Sequence, residues 1–218
     1  MSTAYLCSMK PIILIDNGHG VDCKGKCSPD ALAGKLDSPY YFREYKWCRE
    51  VAQMCCDVLQ AQGFSAWLLV PEETDIPLAT RVQRVNDFCK KYGNNNVLLI
   101  SVHNNAAGSG KNWMSARGWS IWTTKGITEA DKLAESIYNV AKQEFRYPQT
   151  VRTYSNQTYG KDYEEDFYIL KRSYCPAVLI EHFFQDNKED VAYLKTKQCK
   201  GSCVEVIVKG IENYLQSK

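Results

Sequence analysis

Four residues stand where side chains of their type could act together on a substrate: His19, Glu44, His103 and Glu181. The chain has only 3 histidines. His19 sits between two glycines at the end of "PIILIDNGHG", on a bend with little side-chain cover. His103 closes the apolar run "VLLISVH", and Glu181 closes "AVLIE". Imidazole and carboxylate suit zinc, and a catalytic zinc commonly keeps three protein ligands and one open position. A further carboxylate can then take a proton from water. Two histidines and two glutamates supply that inventory.

Each residue also has a plain explanation. His19 alone reads as a turn histidine, and His103 as a hydrogen-bonded core histidine. Glu44 alone reads as an acid complementing the dipole of a helix start. Glu181 resists this treatment, because a carboxylate beside a buried apolar layer is costly unless paired. The four together argue for a site, since all would have to reach one edge of a sheet by chance.

The elements that position them follow from periodicity. Ile12 to Asp16 reads as a short buried strand. Residues 20–43 read as loop. A helix begins near Arg43, with Trp47, Val51, Met54, Cys55, Val58 and Leu59 at helical spacing and Gly63 at its end. "FSAWLLV" is the next strand. Leu78, Val82, Val85, Phe88, Cys89 and Tyr92 mark a second amphipathic helix, and "NVLLISV" a third strand. A glycine-rich loop, 106–118, leads to "WSIWTT", a further strand. Thr128 and Asp131 form a capping-box pattern ahead of Leu133, Ile137, Val140 and Ala141. Residues 146–166 are irregular, "FYIL" reads as a short strand and "PAVLIE" as a buried one. Asn187 caps a short helix, and a last helix carries Val204, Ile207, Ile211 and Leu215. Strands alternating with helices predict an α/β fold: one domain over 1–218, with a mostly parallel central sheet flanked by helices. In such sheets functional groups gather beyond the carboxyl ends of the strands, where three of the four residues fall.

Composition excludes several classes. The net charge of +2 over 218 residues gives no general attraction to nucleic acid or anionic lipid. The apolar runs fall far short of the roughly 20 residues that span a bilayer. "MSTAYLCSMKPIILID" does not read as a signal peptide, because Asp16 closes its short apolar run. The 10 cysteines are therefore expected to be reduced thiols of a protein made in the cytoplasm.

With these residues in place, "IILIDNGHG", a glutamate opening a helix, "SVHNN" and "VLIEHFFQDN" resemble the zinc-dependent N-acetylmuramoyl-L-alanine amidases, type 3. "LATRVQRVN" resembles the Leu-x-x-Arg helix of that family, and the ordered match runs from about residue 12 to 215. The resemblance implies one zinc per chain held by His19, Glu44 and His103, with Glu181 as catalytic base. It implies hydrolysis of the amide between N-acetylmuramic acid and the L-alanine of the peptidoglycan stem peptide. The chain itself reads as a single catalytic domain with no separate wall-binding domain, expected to be a monomer. A phage or prophage endolysin, released to act on the wall after synthesis in the cytoplasm, fits these expectations, with an exported effector or a wall-recycling enzyme as alternatives. Two rivals stand beside it: a zinc peptidase or other amide hydrolase acting on wall peptides, and a wall-binding module that has lost catalysis.

The chain departs from the family pattern at Phe183, which stands where Glu-x-Gly-Phe has glycine, and where a bulky ring is expected to reshape the wall beside Glu181. Glu50, two turns beyond Glu44, is a rival ligand that misses the helix start. His182 should face away from Glu181 by strand alternation. Asn105 fits the family's His-x-Asn and is expected to hold the adjacent loop. Trp113, Trp119, Trp122 and the tyrosines at 147–168 are candidates for a sugar groove. Cys23 with Cys27, and Cys199 with Cys203, are four apart, but such a pair alone lacks the other two ligands of a structural zinc centre.

Overall fold

The computed structural model describes residues 10–146, 148–153 and 161–218. Six strands form one sheet: β1 (Ile12–Asn17), β2 (Ser65–Leu68), β3 (Val97–Asn105), β4 (Ser120–Thr123), β5 (Tyr163–Glu164) and β6 (Ala177–Phe184). Their order across the sheet is β2-β1-β3-β6-β4-β5. All neighbours are parallel except β4 and β6, which run antiparallel. The three central strands β1, β3 and β6 carry near-continuous apolar runs because both of their faces are covered.

The helices are α1 (Pro29–Leu32), α2 (Glu44–Ala61), α3 (Leu78–Tyr92), α4 (Glu129–Glu144), α5 (Tyr168–Arg172), α6 (Lys188–Leu194) and α7 (Lys197–Gln216). Strand alternation divides the core between the two faces of the sheet. Ile13, Ile15, Leu98, Ile100, Val102, Val178 and Ile180 meet α2, α4, α6 and α7. Ile12, Leu14, Val97, Leu99, Ala177 and Leu179 meet α3 and α5. On α2 the buried stripe is Trp47, Val51, Cys55 and Leu59, whereas Met54 and Val58 lie at its exposed margin. The capping box at Thr128 and Asp131 is formed, and Asn187 caps α6 through its side chain.

Two expectations need correction. "FYIL" is not a strand: Tyr168 to Arg172 form α5, with Ile169 and Leu170 buried against the sheet and Tyr168 exposed. A short apolar run has no intrinsic period, so packing rather than pattern decides its form. The strand next to β4 is β5, which begins earlier, at Tyr163. The loop at 20–43 also contains the one-turn helix α1, started by Pro29 and capped by the Ser28 hydroxyl.

Nine cysteines are free among the described residues. Cys199 and Cys203 lie on one face of α7 with their sulfurs 3.9 Å apart, as unbonded thiols. No helix among the described residues is long and apolar enough to cross a membrane.

Candidate metal centre and its base

His19 follows the end of β1 in a left-handed conformation, φ 60°. A side chain rarely adopts this without cause, and such outliers gather at functional sites. Both flanking glycines are required by close approach. A Cβ on Gly18 would lie 2.6 Å from the His103 ring, and one on Gly20 would lie 1.9 Å from the backbone nitrogen of Asp75. The two glycines therefore let the turn press against β3 on one side and residues 74–75 on the other.

Arg81 on α3 fixes the turn from below. Its guanidinium donates to Asp16 Oδ1 at 2.8 Å, to the Asn17 carbonyl at 2.6 Å and to Asp75 Oδ1 at 2.9 Å. The second oxygen of Asp16 accepts from the Ser101 hydroxyl at 2.6 Å. A buried arginine paired this fully is a rigid brace, and loss of either partner would strand a charge.

Glu44 opens α2 and is 1% exposed. The preceding loop folds back on itself: the Glu44 N–H donates to the Lys26 carbonyl at 3.2 Å, and Cys27 bridges to Arg43. Glu44 Oε1 lies 3.1 Å from His103 Nδ1 and 3.5 Å from His19 Nε2, and accepts from the Asn104 N–H at 3.0 Å. Glu44 Oε2 accepts from the Gln185 side chain at 2.8 Å. The ligand atoms of His19, Glu44 and His103 all lie within 4.8 Å of one another. Glu50 is elsewhere, paired with Lys200.

Glu181 stands opposite His103 in the register of β6 on β3, and its Oε2 is enclosed without a hydrogen-bond partner among the described residues. Burial is the main cause that lifts its pKa to about 7; the Glu44 charge adds to this, and His103 and Lys26 oppose it. For Glu44, burial pushes the carboxyl up, but the contact with His103 and the charges of both histidines outweigh it and hold the pKa at about 2. Burial lowers His19 to about 4, despite the Glu44 charge. Burial also pulls His103 down, yet its contact with Glu44 carries it above the usual histidine value. The two carboxyls are thus driven apart, one kept ionised among imidazoles and the other poised to exchange a proton near neutrality.

His182 points to the opposite face. It is fully buried against Trp47 and Trp119, and its Nδ1 accepts from the Trp119 indole at 3.2 Å. Burial drops its pKa to about 3, so it is neutral. Beside it, β6 holds one residue more than β3, because His103 pairs with Glu181 but Asn105 with Phe184. Phe183 occupies this bulge with φ 64°, a conformation that favours glycine. Its ring does not form the wall beside Glu181. It packs edge-on against Phe145 and Tyr193, each 5.2 Å away, on the far face.

Asn105 Oδ1 accepts from the Ala106 N–H at 2.8 Å and so holds the loop start. Of the tryptophans, Trp119 is core and Trp122 packs on Tyr163 and Phe167. Trp113 is half-buried, edge-on to Tyr40. Tyr147, Tyr154 and Tyr159 lie outside the described residues. Sequence reasoning missed Asn104, Gln185 and Asp75. Asn104 and Gln185 lie within "SVHNN" and "VLIEHFFQDN" but carry no spacing that sets them apart there, and Asp75 left no signal.

The donor set comprises two imidazoles and one ionised carboxylate, drawn from three elements to one point, with a partnerless carboxyl oxygen beside them. It is the ligand chemistry of a hydrolytic metal centre, so the residues fit a zinc ion. An α/β sheet bearing such a donor set toward the carboxyl ends of its central strands has the layout of a hydrolase fold with a candidate metal site.

The comparisons name the family. Residues 13–213 match the N-acetylmuramoyl-L-alanine amidase model (Amidase_3), and the chain belongs to that family. It is 24% identical to the N-acetylmuramoyl-L-alanine amidase AmiC of Neisseria meningitidis serogroup B, over 95% of this chain and 53% of that protein. It is 23% identical to the endolysin of Bacillus phage SPP1, over 96% of this chain and 68% of the endolysin. The chain spans about half the length of the AmiC proteins that it matches. Among solved structures, the N-acetylmuramoyl-L-alanine amidase from Clostridium difficile 630 superposes with a TM-score of 0.73 at 25% identity, covering 97% of this chain and 100% of that one.

Proposed function

We propose that the chain is a zinc-dependent amidase that cleaves the bond between the lactyl group of N-acetylmuramic acid and the L-alanine of the peptidoglycan stem peptide. His19, Glu44 and His103 would hold the metal, and Glu181 would act as base. The observation that carries this reading is Glu181 Oε2, a buried oxygen with no partner among the described residues, on the strand position opposite His103.

Bound there, zinc supplies Lewis acidity that polarises the scissile carbonyl and readies water for attack at neutral pH. Glu181 accepts the proton of the attacking water. It returns that proton to the nitrogen of L-alanine as the C–N bond breaks, leaving a lactyl carboxylate and a free amine. A carboxyl poised near pH 7 suits both transfers. Asn104 and Gln185 hold Glu44 so that its Oε1 faces the two histidines.

The likeness to the SPP1 endolysin supports a lysin of phage or prophage type that acts on the wall. Digestion of purified sacculi followed by mass spectrometry tests the reaction. The expected products are stem peptides with a free N-terminal L-alanine and glycan strands freed of peptide. Muramic acid still bearing alanine would show a peptidase instead. Sacculi bound without product release would show a binding module.

A further inference from the structure

His19 belongs to a second group of metal-ligating side chains. Its ring, the Cys23 thiol and the Asp75 carboxylate have ligand atoms that all lie within 4.8 Å of one another, and all three residues are half-buried and reachable from solvent. We propose that these three residues form a second, weaker site for a thiophilic divalent cation such as Zn2+ or Cd2+, one that engages His19 and so inhibits the enzyme.

Two observations carry this. The first is donor chemistry: thiolate, imidazole and carboxylate form a set that selects borderline-soft and soft metals. The Glu44 trio lacks sulfur, so the two sites differ in preference. The second is built geometry. The Cys23 N–H donates to the Gly20 carbonyl at 3.0 Å, the Val21 N–H to the Glu73 carbonyl at 2.9 Å and the Asp75 N–H to Asp22 Oδ1 at 2.7 Å. Two segments are thereby pinned face to face, and Arg81 holds the Asp75 carboxylate from behind at 2.9 Å. Ligands oriented by such partners bind metal better than mobile ones. On binding, the cation would displace the Cys23 thiol proton to solvent. Cys27, the other cysteine of the loop, takes no part; its thiol donates to the Lys24 carbonyl at 3.2 Å.

The site is the weaker of the two because Arg81 already engages Asp75. His19 Nε2 faces Glu44, and a cation drawing on the same ring weakens its hold on the first metal. The inhibition half of the proposal rests on the metal reading of the first site. The binding half does not.

The test is a titration of zinc-loaded protein with Cd2+, reading metal stoichiometry, the thiolate-to-metal charge-transfer absorption and amide hydrolysis together. Wild type should take up a second equivalent with a thiolate band, and hydrolysis should fall at least about tenfold as that band saturates. Cys23→Ser should bind a single equivalent, show no band and keep its activity across the same range. A thiolate band without inhibition would overturn the coupling through His19. A second equivalent bound equally by Cys23→Ser, or none bound by wild type, would overturn the site. A failure of the amidase reading is distinguishable, because it would remove hydrolysis while leaving the Cys23-dependent band.

Discussion

His103 and Glu181 are register partners on adjacent parallel strands, side by side on the same face of the sheet. One leans toward Glu44 and the other keeps an oxygen without a partner. Strand pairing alone thus sets the proposed metal ligand next to the proposed proton acceptor.

Gln185 is expected to position Glu44, since it is the donor to Oε2. Gln185→Leu should weaken zinc binding by about 10- to 100-fold, the usual range for a residue that orients a ligand. Competition with a calibrated chelator measures this. Turnover should recover in excess zinc, which a merely unfolded variant would not show. Glu50→Ala should leave zinc affinity unchanged, because Glu50 pairs with Lys200 away from the centre.

Phe183→Gly should relieve the strain at φ 64° and yet destabilise the protein. Relief is worth roughly 1–2 kcal/mol, whereas emptying the pocket of a buried aromatic ring costs about 3–5 kcal/mol. A net loss of about 1–4 kcal/mol in urea unfolding is expected, with kcat little changed because the ring faces away from Glu181. A stabilised variant would show that backbone strain dominates.

The pH dependence follows from Glu181. Its folded pKa of about 7 lies above the ordinary 4.5, so between these values the folded metal-free protein holds a proton that the unfolded chain releases. The group's favourable contribution is complete below about pH 4.5 and is lost as pH rises through about 7. Metal-free Glu181→Gln should therefore exceed wild type in stability at pH 8, by up to about 3 kcal/mol, and lose that advantage by pH 4. Thermal melts at the two pH values check the sign. In the zinc enzyme the acidic limb of kcat/KM should fall at or below about pH 7, because a nearby dication lowers a carboxyl pKa.

Much of this was legible in the residues. β1, β3 and β6 are short apolar runs doubly covered by helices, and the candidate residues His19, His103 and Glu181 lie where those apolar runs give out. His182 faced away from Glu181 as alternation requires, because the bulge begins only beyond it. Glu44 was the hardest member to place. A loop of more than twenty residues says nothing about where it returns, and the Lys26 and Arg43 contacts that fold it back are backbone pairings without a sequence signature. "FYIL" misled because four apolar residues carry no period. The glycine expected at Phe183 marked a backbone need, the left-handed bulge, and not an opening in the site wall.

The central claim is that Glu181 moves the proton without holding the metal, and Glu181→Gln measured for zinc content and turnover on sacculi in one preparation tests it most directly. The account predicts one zinc per chain, sacculus binding retained and turnover down by at least about a hundredfold, roughly 3 kcal/mol of barrier. Loss of zinc from the variant would make Glu181 a ligand, and undiminished turnover would place the base elsewhere; either result contradicts the account.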